Sequence, residues 1–273
     1  MLSHGSPLRQ QCIRKREDVS RVLLVGESWF KHTLELKGFD SYSFGAYEVG
    51  TEWISAALRN GGHEFTHLPS HLVDSEWPNL TDFDVILMSD VGANTFLLGS
   101  SCFVDGQPGP NKLQELAEYV RNGGGLGMIG GYLSFSGIEG KAHYANTVIE
   151  DVLPVTISTH DDRVETPEGV QPDVLEATHP IVAGVDTLGP LLGFNSITAK
   201  SGATVIAALG SHPLLAIWTV GGGRTFAYAS DCGPHWASRP YIESKAFARL
   251  WCQLVSWAQD GGASLSESTG RPA

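Results

Sequence analysis

Leu126-Gly127-Met128-Ile129-Gly130-Gly131-Tyr132-Leu133-Ser134-Phe135-Ser136-Gly137 is the stretch that decides the fold. An apolar run too short for a helix reads as a buried strand. The paired glycines and the short polar segment behind it have the outline of a strand-to-helix turn that displays a nucleophile. A tyrosine stands where the nucleophile would be. The combination points to an enzyme-type scaffold whose usual chemistry has been lost or replaced.

Working outward, Arg21 to Val25 and Asp84 to Ser89 are further apolar strands, and His63 to Leu68 is another. Tyr47 to Asn60 reads as a helix with Val49, Trp53, Ala56 and Ala57 on one face, stopped by Gly61-Gly62. Pro110 opens a second helix carrying Leu113, Leu116, Ala117 and Val120, closed by Asn122 and three glycines. Strands that alternate with helices, each too apolar to face water, predict a parallel sheet covered on both sides. The second half is richer in strands: Val152 to Ser158, Leu191 to Thr198, Ala203 to Leu209, Leu214 to Val220 and Arg224 to Ser230. Gly221-Gly222-Gly223 marks a hairpin between the last two. From Pro240 a long helix with Ile242, Ala246, Leu250, Leu254 and Trp257 on one stripe caps the sheet.

The chain has 273 residues, 42% of them apolar and 18% charged, enough for one large domain over residues 20–260. Residues 1–19, with Arg9, Arg14, Lys15 and Arg16, read as a flexible leader, and residues 261–273 as a flexible tail. A formal charge of −12 argues against nucleic acid or an anionic membrane as partner. No apolar run approaches the roughly 20 residues that span a bilayer. The first twenty residues lack a signal peptide's apolar core, so a cytoplasmic protein is expected. Cys12, Cys102, Cys232 and Cys252 lie far apart with no CxxC spacing, and read as free thiols.

In an open parallel sheet, ligands gather beyond the carboxyl ends of the strands. The polar residues at those ends are Glu27 and Ser28; Asp90 and Asn94; Gly130, Gly131, Tyr132 and Ser134; and Asp231, Cys232 and His235. Their convergence predicts one acidic, histidine-containing pocket for a small-molecule ligand. Glu27, Asp90, Asp231 and His235 offer donors that suit a divalent metal. The competing account is that the carboxylates cap loop amides. No HxH or HExxH spacing supports a metal, and no cofactor is expected. Cys232, three residues before His235, is a candidate nucleophile, against the common use of small cysteines as core. The polar run Asp161 to Gly169 is a solvated loop or a lid. Trp29, Phe30, Phe39, Tyr42 and Phe44 form core, a second lid or a homo-oligomer contact.

The element order, the Gly123-Gly124-Gly125 strand lead, Gly130 to Ser134, and Ser230-Asp231-Cys232-Gly233-Pro234-His235 together resemble the class I glutamine amidotransferase-like superfamily. Thr178 to Gly184, Pro213 to Trp218 and Gly223 to Tyr228 are most similar to its ThuA-like branch, beside the amidotransferase-like (GATase1-like) proteins. The resemblance covers Arg21 to Ala258. It implies an α/β, flavodoxin-like three-layer sandwich with a mostly parallel central sheet, plus a C-terminal β-hairpin and capping helix. A working member carries Cys in a Gly-x-Cys-x-Gly elbow, with a His and a Glu two residues later. Here Tyr132 occupies the cysteine position, His235 matches the histidine, and Ala237 stands where the Glu would be.

A phenol with an ordinary pKa near 10 is a poor replacement for a thiolate. The resemblance therefore implies a fold without the usual glutaminase triad. Two classes of function follow. One is a hydrolase or related enzyme of a small amide or sugar derivative, with His235 as general acid or base, Glu27, Asp90 or Asp231 orienting substrate, and the Gly131 and Tyr132 amides as oxyanion donors. The other is a non-catalytic metabolite-binding or subunit-docking protein on the same scaffold.

Overall fold

The computed structural model describes residues 19–261. The expected leader and tail, and Cys12, lie outside them apart from the leader's last residue and the tail's first. In chain order the strands and helices are β1 (Arg21–Gly26), β2 (Ser28–Lys37), β3 (Asp40–Val49), α1 (Glu52–Asn60), β4 (Glu64–Leu68), β5 (Val85–Ser89), α2 (Asn94–Leu97), α3 (Ser100–Phe103), α4 (Lys112–Arg121) and β6 (Gly125–Ile129). There follow α5 (Val148–Val152), β7 (Val155–Thr156), β8 (Arg163–Val170), β9 (Asp173–Val174), β10 (Leu191–Asn195), β11 (Thr198–Ala199), β12 (Thr204–Leu209), β13 (His212–Val220), β14 (Gly223–Tyr228), α6 (Arg239–Ile242) and α7 (Lys245–Gln259).

The central sheet has eight strands in the order β4-β1-β5-β6-β14-β13-β12-β9. From β4 to β14 every pairing is parallel, and from β14 to β9 every pairing is antiparallel. All five residues of β5 and all five of β6 are buried, because helices cover both faces. α1 packs on α7 on one side and α4 on α5 on the other. Each fully buried Leu or Ile in these layers contributes roughly 1.5–3 kcal/mol. This is the expected α/β three-layer sandwich, and the turn at Gly221 joins β13 to β14 as the expected hairpin.

Four local expectations are corrected. Tyr47 to Val49 belong to β3 rather than to a helix, and α1 begins only at Glu52. Val152 to Ser158 is not one strand. α5 ends at Val152, and Pro154, which has no N–H to donate, separates it from the two-residue β7. The helix from Pro240 is two helices. Ser244, in an extended conformation, accepts the Phe247 amide at 3.2 Å and restarts the chain as α7. The Asp161 to Gly169 run is not a loop: from Arg163 onward it forms β8, paired antiparallel with β10 beside the turn that follows β6.

Candidate functional site

Glu27 stands at the carboxyl end of β1, in the left-handed region at φ 47°, after Gly26 at φ 112°. A Cβ on Gly26 would lie 1.9 Å from the Ser89 carbonyl oxygen, so a glycine is required there. This tight turn sends the Glu27 side chain inward, where it is 4% exposed. Its Oε1 accepts from the Ser89 hydroxyl at 2.5 Å and from the Cys232 thiol at 3.7 Å. Burial, and then the nearby Asp231 and Asp90 carboxylates, push the Glu27 carboxyl well above the ordinary range. Both effects favour the protonated carboxyl.

Asp231 and Cys232 follow β14. Asp231 Oδ1 accepts the Gly233 amide at 2.9 Å, and its Oδ2 lies 3.4 Å from His235 Nδ1. That carboxylate, opposed in part by burial, raises the His235 pKa, and Asp90 and Glu165 add to the effect. Because Nδ1 faces Asp231, Nε2 is the nitrogen left to meet a ligand. Cys232 is fully buried. Burial first, then the neighbouring Glu27 and Asp231 carboxyl groups, push its thiol well above the ordinary value, which leaves it a poor nucleophile.

Glu27, Asp231 and His235 open onto a crevice of about 380 Å3, walled by Trp29, Trp53, Gly50 and Pro234, with Glu52 on its lining. Among the described residues, that lining holds no Lys or Arg. A larger crevice of about 570 Å3 sits at the amino ends of the strands around Arg21, Asp84 and Tyr119. Its Arg21 and Asp84 already form an ion pair at 2.7 Å, so it offers no comparable free chemistry.

The turn after β6 is held from three sides. Asp90, at φ 45° past β5, accepts the Leu133 amide at 2.7 Å and the Tyr132 amide, while its own amide donates to Ser134 Oγ at 3.1 Å. Burial, in the main, raises the Asp90 carboxyl. Asn195 accepts the Gly131 amide at 3.0 Å, and Asp162 accepts the amides of Ser136 and Gly137 at 3.0 and 2.8 Å. The Gly131 and Tyr132 amides, expected as oxyanion donors, are thus already engaged. A Cβ on Gly130 would lie 2.3 Å from the Ala229 carbonyl oxygen, so that glycine serves the approach of β6 to the end of β14.

Tyr132 is a wall of the site. Its hydroxyl donates to Glu165 Oε1 at 3.0 Å, the Arg163 guanidinium lies 4.8 Å from its ring centroid, and the His235 ring meets it edge-on at 4.5 Å. Burial and then Glu165 raise its pKa, so the phenol is neutral. The second Glu165 oxygen accepts the Trp236 indole N–H at 3.0 Å, and Trp236 stacks on His235.

The fold therefore brings Glu27, Asp90, Tyr132, Asp231, Cys232 and His235 together, with Gly130, Gly131 and Ser134 behind them. It does not bring in Ser28, whose hydroxyl accepts the Ser70 amide at 2.8 Å, or Asn94, which opens α2 in an exposed position. Sequence reasoning missed Ser89, Asp162, Glu165 and Asn195. Asn195, a fully buried polar residue inside an apolar strand, was the one readable signal.

Among the described residues, Glu27, Asp231 and Cys232 hold ligand atoms within 4.8 Å of one another, as a metal site would require. The neutral acid and neutral thiol would both have to lose protons to bind an ion. No helix among the described residues is long and apolar enough to cross a membrane.

Residues 21–260 match the family described as "Putative glutamine amidotransferase". No curated protein matches the chain. Among solved structures, Cytoplasmic Protein STM3548 from Salmonella typhimurium is 41% identical with a TM-score of 0.84, over 87% of this chain and 98% of that one. Cytoplasmic Protein STM1381 from Salmonella typhimurium LT2 is 40% identical with a TM-score of 0.83, over 87% and 99%. A ThuA-like protein from Bacteroides uniformis shares the fold at 11% identity and a TM-score of 0.51, over 92% and 95%. With nearly all of its described residues inside the match, the chain belongs to this glutamine amidotransferase-like family.

Proposed function

We propose that this protein is a hydrolase or closely related enzyme acting on a small polar metabolite, an amide or a sugar derivative, in the crevice between β1 and β14. The observation that carries the reading is the His235 to Asp231 contact of 3.4 Å, which opens onto a water-accessible crevice beside a buried carboxylic acid. The pKa values of Glu27 and His235 are both raised in this one cleft, and perturbed titratable groups gathered in a cleft mark a site of proton transfer. His235 takes a proton from water through Nε2, and the water oxygen attacks the substrate. Asp231 holds the ring and stabilises the imidazolium that forms. Glu27 is neutral and can give its proton to the leaving group.

The usual thiolate route of the superfamily is not the one proposed. Tyr132 holds the elbow position as a neutral phenol, and Cys232 is a buried neutral thiol. Among the described residues the crevice lining holds Glu27, Glu52 and Asp231 but no Lys or Arg, which favours neutral or cationic substrates over anionic ones. The two relatives about 40% identical carry the name Cytoplasmic Protein, and the same compartment is proposed here.

The test is turnover by the purified protein on a panel of carboxamides and sugar derivatives, with His235→Ala and Asp231→Asn beside it. Loss of a general base costs on the order of 100- to 10,000-fold, and the Asp231 variant should lose less. Turnover unchanged in both variants rejects the assignment. Ammonia release from glutamine at a rate set by Cys232 would restore the usual chemistry.

A further inference from the structure

β2 and β3 form a two-stranded ribbon of their own, paired along ten residues from Ser28↔Val49 to Lys37↔Asp40. At about 3.3 Å per residue it is roughly 33 Å long. It is exposed along both faces, with Gly38 at φ 66° opening its two-residue turn. An isolated two-stranded ribbon is marginal in water unless something covers one of its faces.

Its two faces differ in kind. The register puts Trp29, Lys31, Thr33, Glu35 and Lys37 on one face with Asp40, Tyr42, Phe44, Ala46 and Glu48. Two ion pairs lie on this face: Lys31 with Glu48 at 2.6 Å and Lys37 with Glu35 at 3.2 Å. The other face carries no Asp, Glu, Lys or Arg. Its Phe30, Leu34, Leu36, Tyr47 and Val49 are 42 to 72% exposed. Among the described residues its root is partnered, where His71 meets the rings of Phe30 and Tyr47 at 5.3 and 5.2 Å.

We propose that this uncharged face packs on the same face of a second copy of the chain, so that the protein is a homodimer joined through its ribbons. Two observations select that occupant. A two-fold contact presents the same patch from both copies, and this face, on which His32 also lies, brings no Asp, Glu, Lys or Arg together, whereas the rest of an acidic chain of net charge −12 would repel itself. The apolar surface of these five residues and Phe39 at the tip is on the order of 700 Å2, close to the ~800 Å2 per partner of a standard interface. Val49, at the root of the uncharged face, also lines the crevice, so the dimer contact continues into the wall of the site.

Sedimentation equilibrium across the micromolar range tests this on the full chain. The wild type is expected at twice the protomer mass. Leu34→Lys combined with Leu36→Lys should raise the dissociation constant at least about 100-fold, as loss of central apolar anchors does. Both leucines are exposed in the protomer, so circular dichroism should be unchanged. Thr33→Lys, on the charged face, should stay dimeric. A wild type at protomer mass throughout, or a double variant that dimerises normally, overturns the proposal.

Discussion

Asn195 grips the Gly131 peptide from both sides: its Oδ1 accepts from the Gly131 amide at 3.0 Å, and its Nδ2 donates to the Gly131 carbonyl at 3.2 Å and to Asp162 Oδ1 at 2.8 Å. All three bonds are buried, so their partners have no water to turn to. Asn195→Ala should destabilise the fold by about 2–4 kcal/mol, since each buried group left unsatisfied costs about 1–3 kcal/mol. Asn195→Asp keeps the shape but sets a second carboxylate beside Asp162, and should be worse at neutral pH than in acid. Urea denaturation at two pH values measures both. An Asn195→Ala midpoint equal to wild type would mean that the turn is held by Asp90 and Asp162 alone.

Glu27→Gln tests the neutral acid. The folded-state pKa of Glu27 is raised, so the unfolded chain ionises first as the pH rises. The contribution of this residue to stability is then fully present below the ordinary carboxyl value of about 4.3 and is lost progressively as the pH climbs toward the folded value. Glutamine keeps the acceptor for the Ser89 hydroxyl and cannot ionise. The difference in Tm between Glu27→Gln and wild type should therefore move in favour of the variant from pH 5 to pH 8. A difference that stays constant over that window would show Glu27 ionised in the fold.

Much of this was legible because the physics is local. β1, β5 and β6 are buried on both faces, so they read as unbroken apolar runs, and the polar residues that end them announced Glu27, Asp90 and Tyr132. The ribbon was not legible. It has no core to alternate against, and Ser41, Ser43 and Gly45 dilute its period, so its last residues passed for the first turn of α1. Asp162, Glu165 and Asn195 lie on or beside the β8–β10 pair, which reaches the β6 turn only through tertiary packing. Asn195 and Gly131 are 64 residues apart. No spacing rule joins residues at that distance, and the polar run around Asp162 looked like any solvated loop.

The cysteines separate packing from reactivity. Cys102 is exposed, Cys252 is half-buried against the Ala57 carbonyl, and Cys232 is sealed beside Glu27 with its thiol held neutral. Among the described cysteines, alkylation of the native protein followed by peptide mapping should modify Cys102 fastest and Cys232 only after unfolding. Cys232→Ser should retain turnover within a few-fold. Rapid native labelling of Cys232, with matching loss of activity, would make it the nucleophile.

His235 supplies the sharpest pH signature, because its pKa is raised chiefly by one neighbour. In the wild type the imidazole should titrate above the free-histidine value of about 6.5. Asp231→Asn removes the leading cause and should move the titration down, and Asp90→Asn should move it down by less. Ring-proton NMR reads this directly, with His235→Gln identifying the resonance among the ten histidines. The linked stability follows in sign: a raised histidine pKa favours the fold below the unfolded value, and that benefit is lost as the pH rises through the folded one. If His235 is the base, the acidic limb of kcat/KM must shift to lower pH in Asp231→Asn by the same interval as the resonance. A rate profile that stays fixed while the resonance moves would assign the base to another group and leave the His235–Asp231 pair as part of the wall.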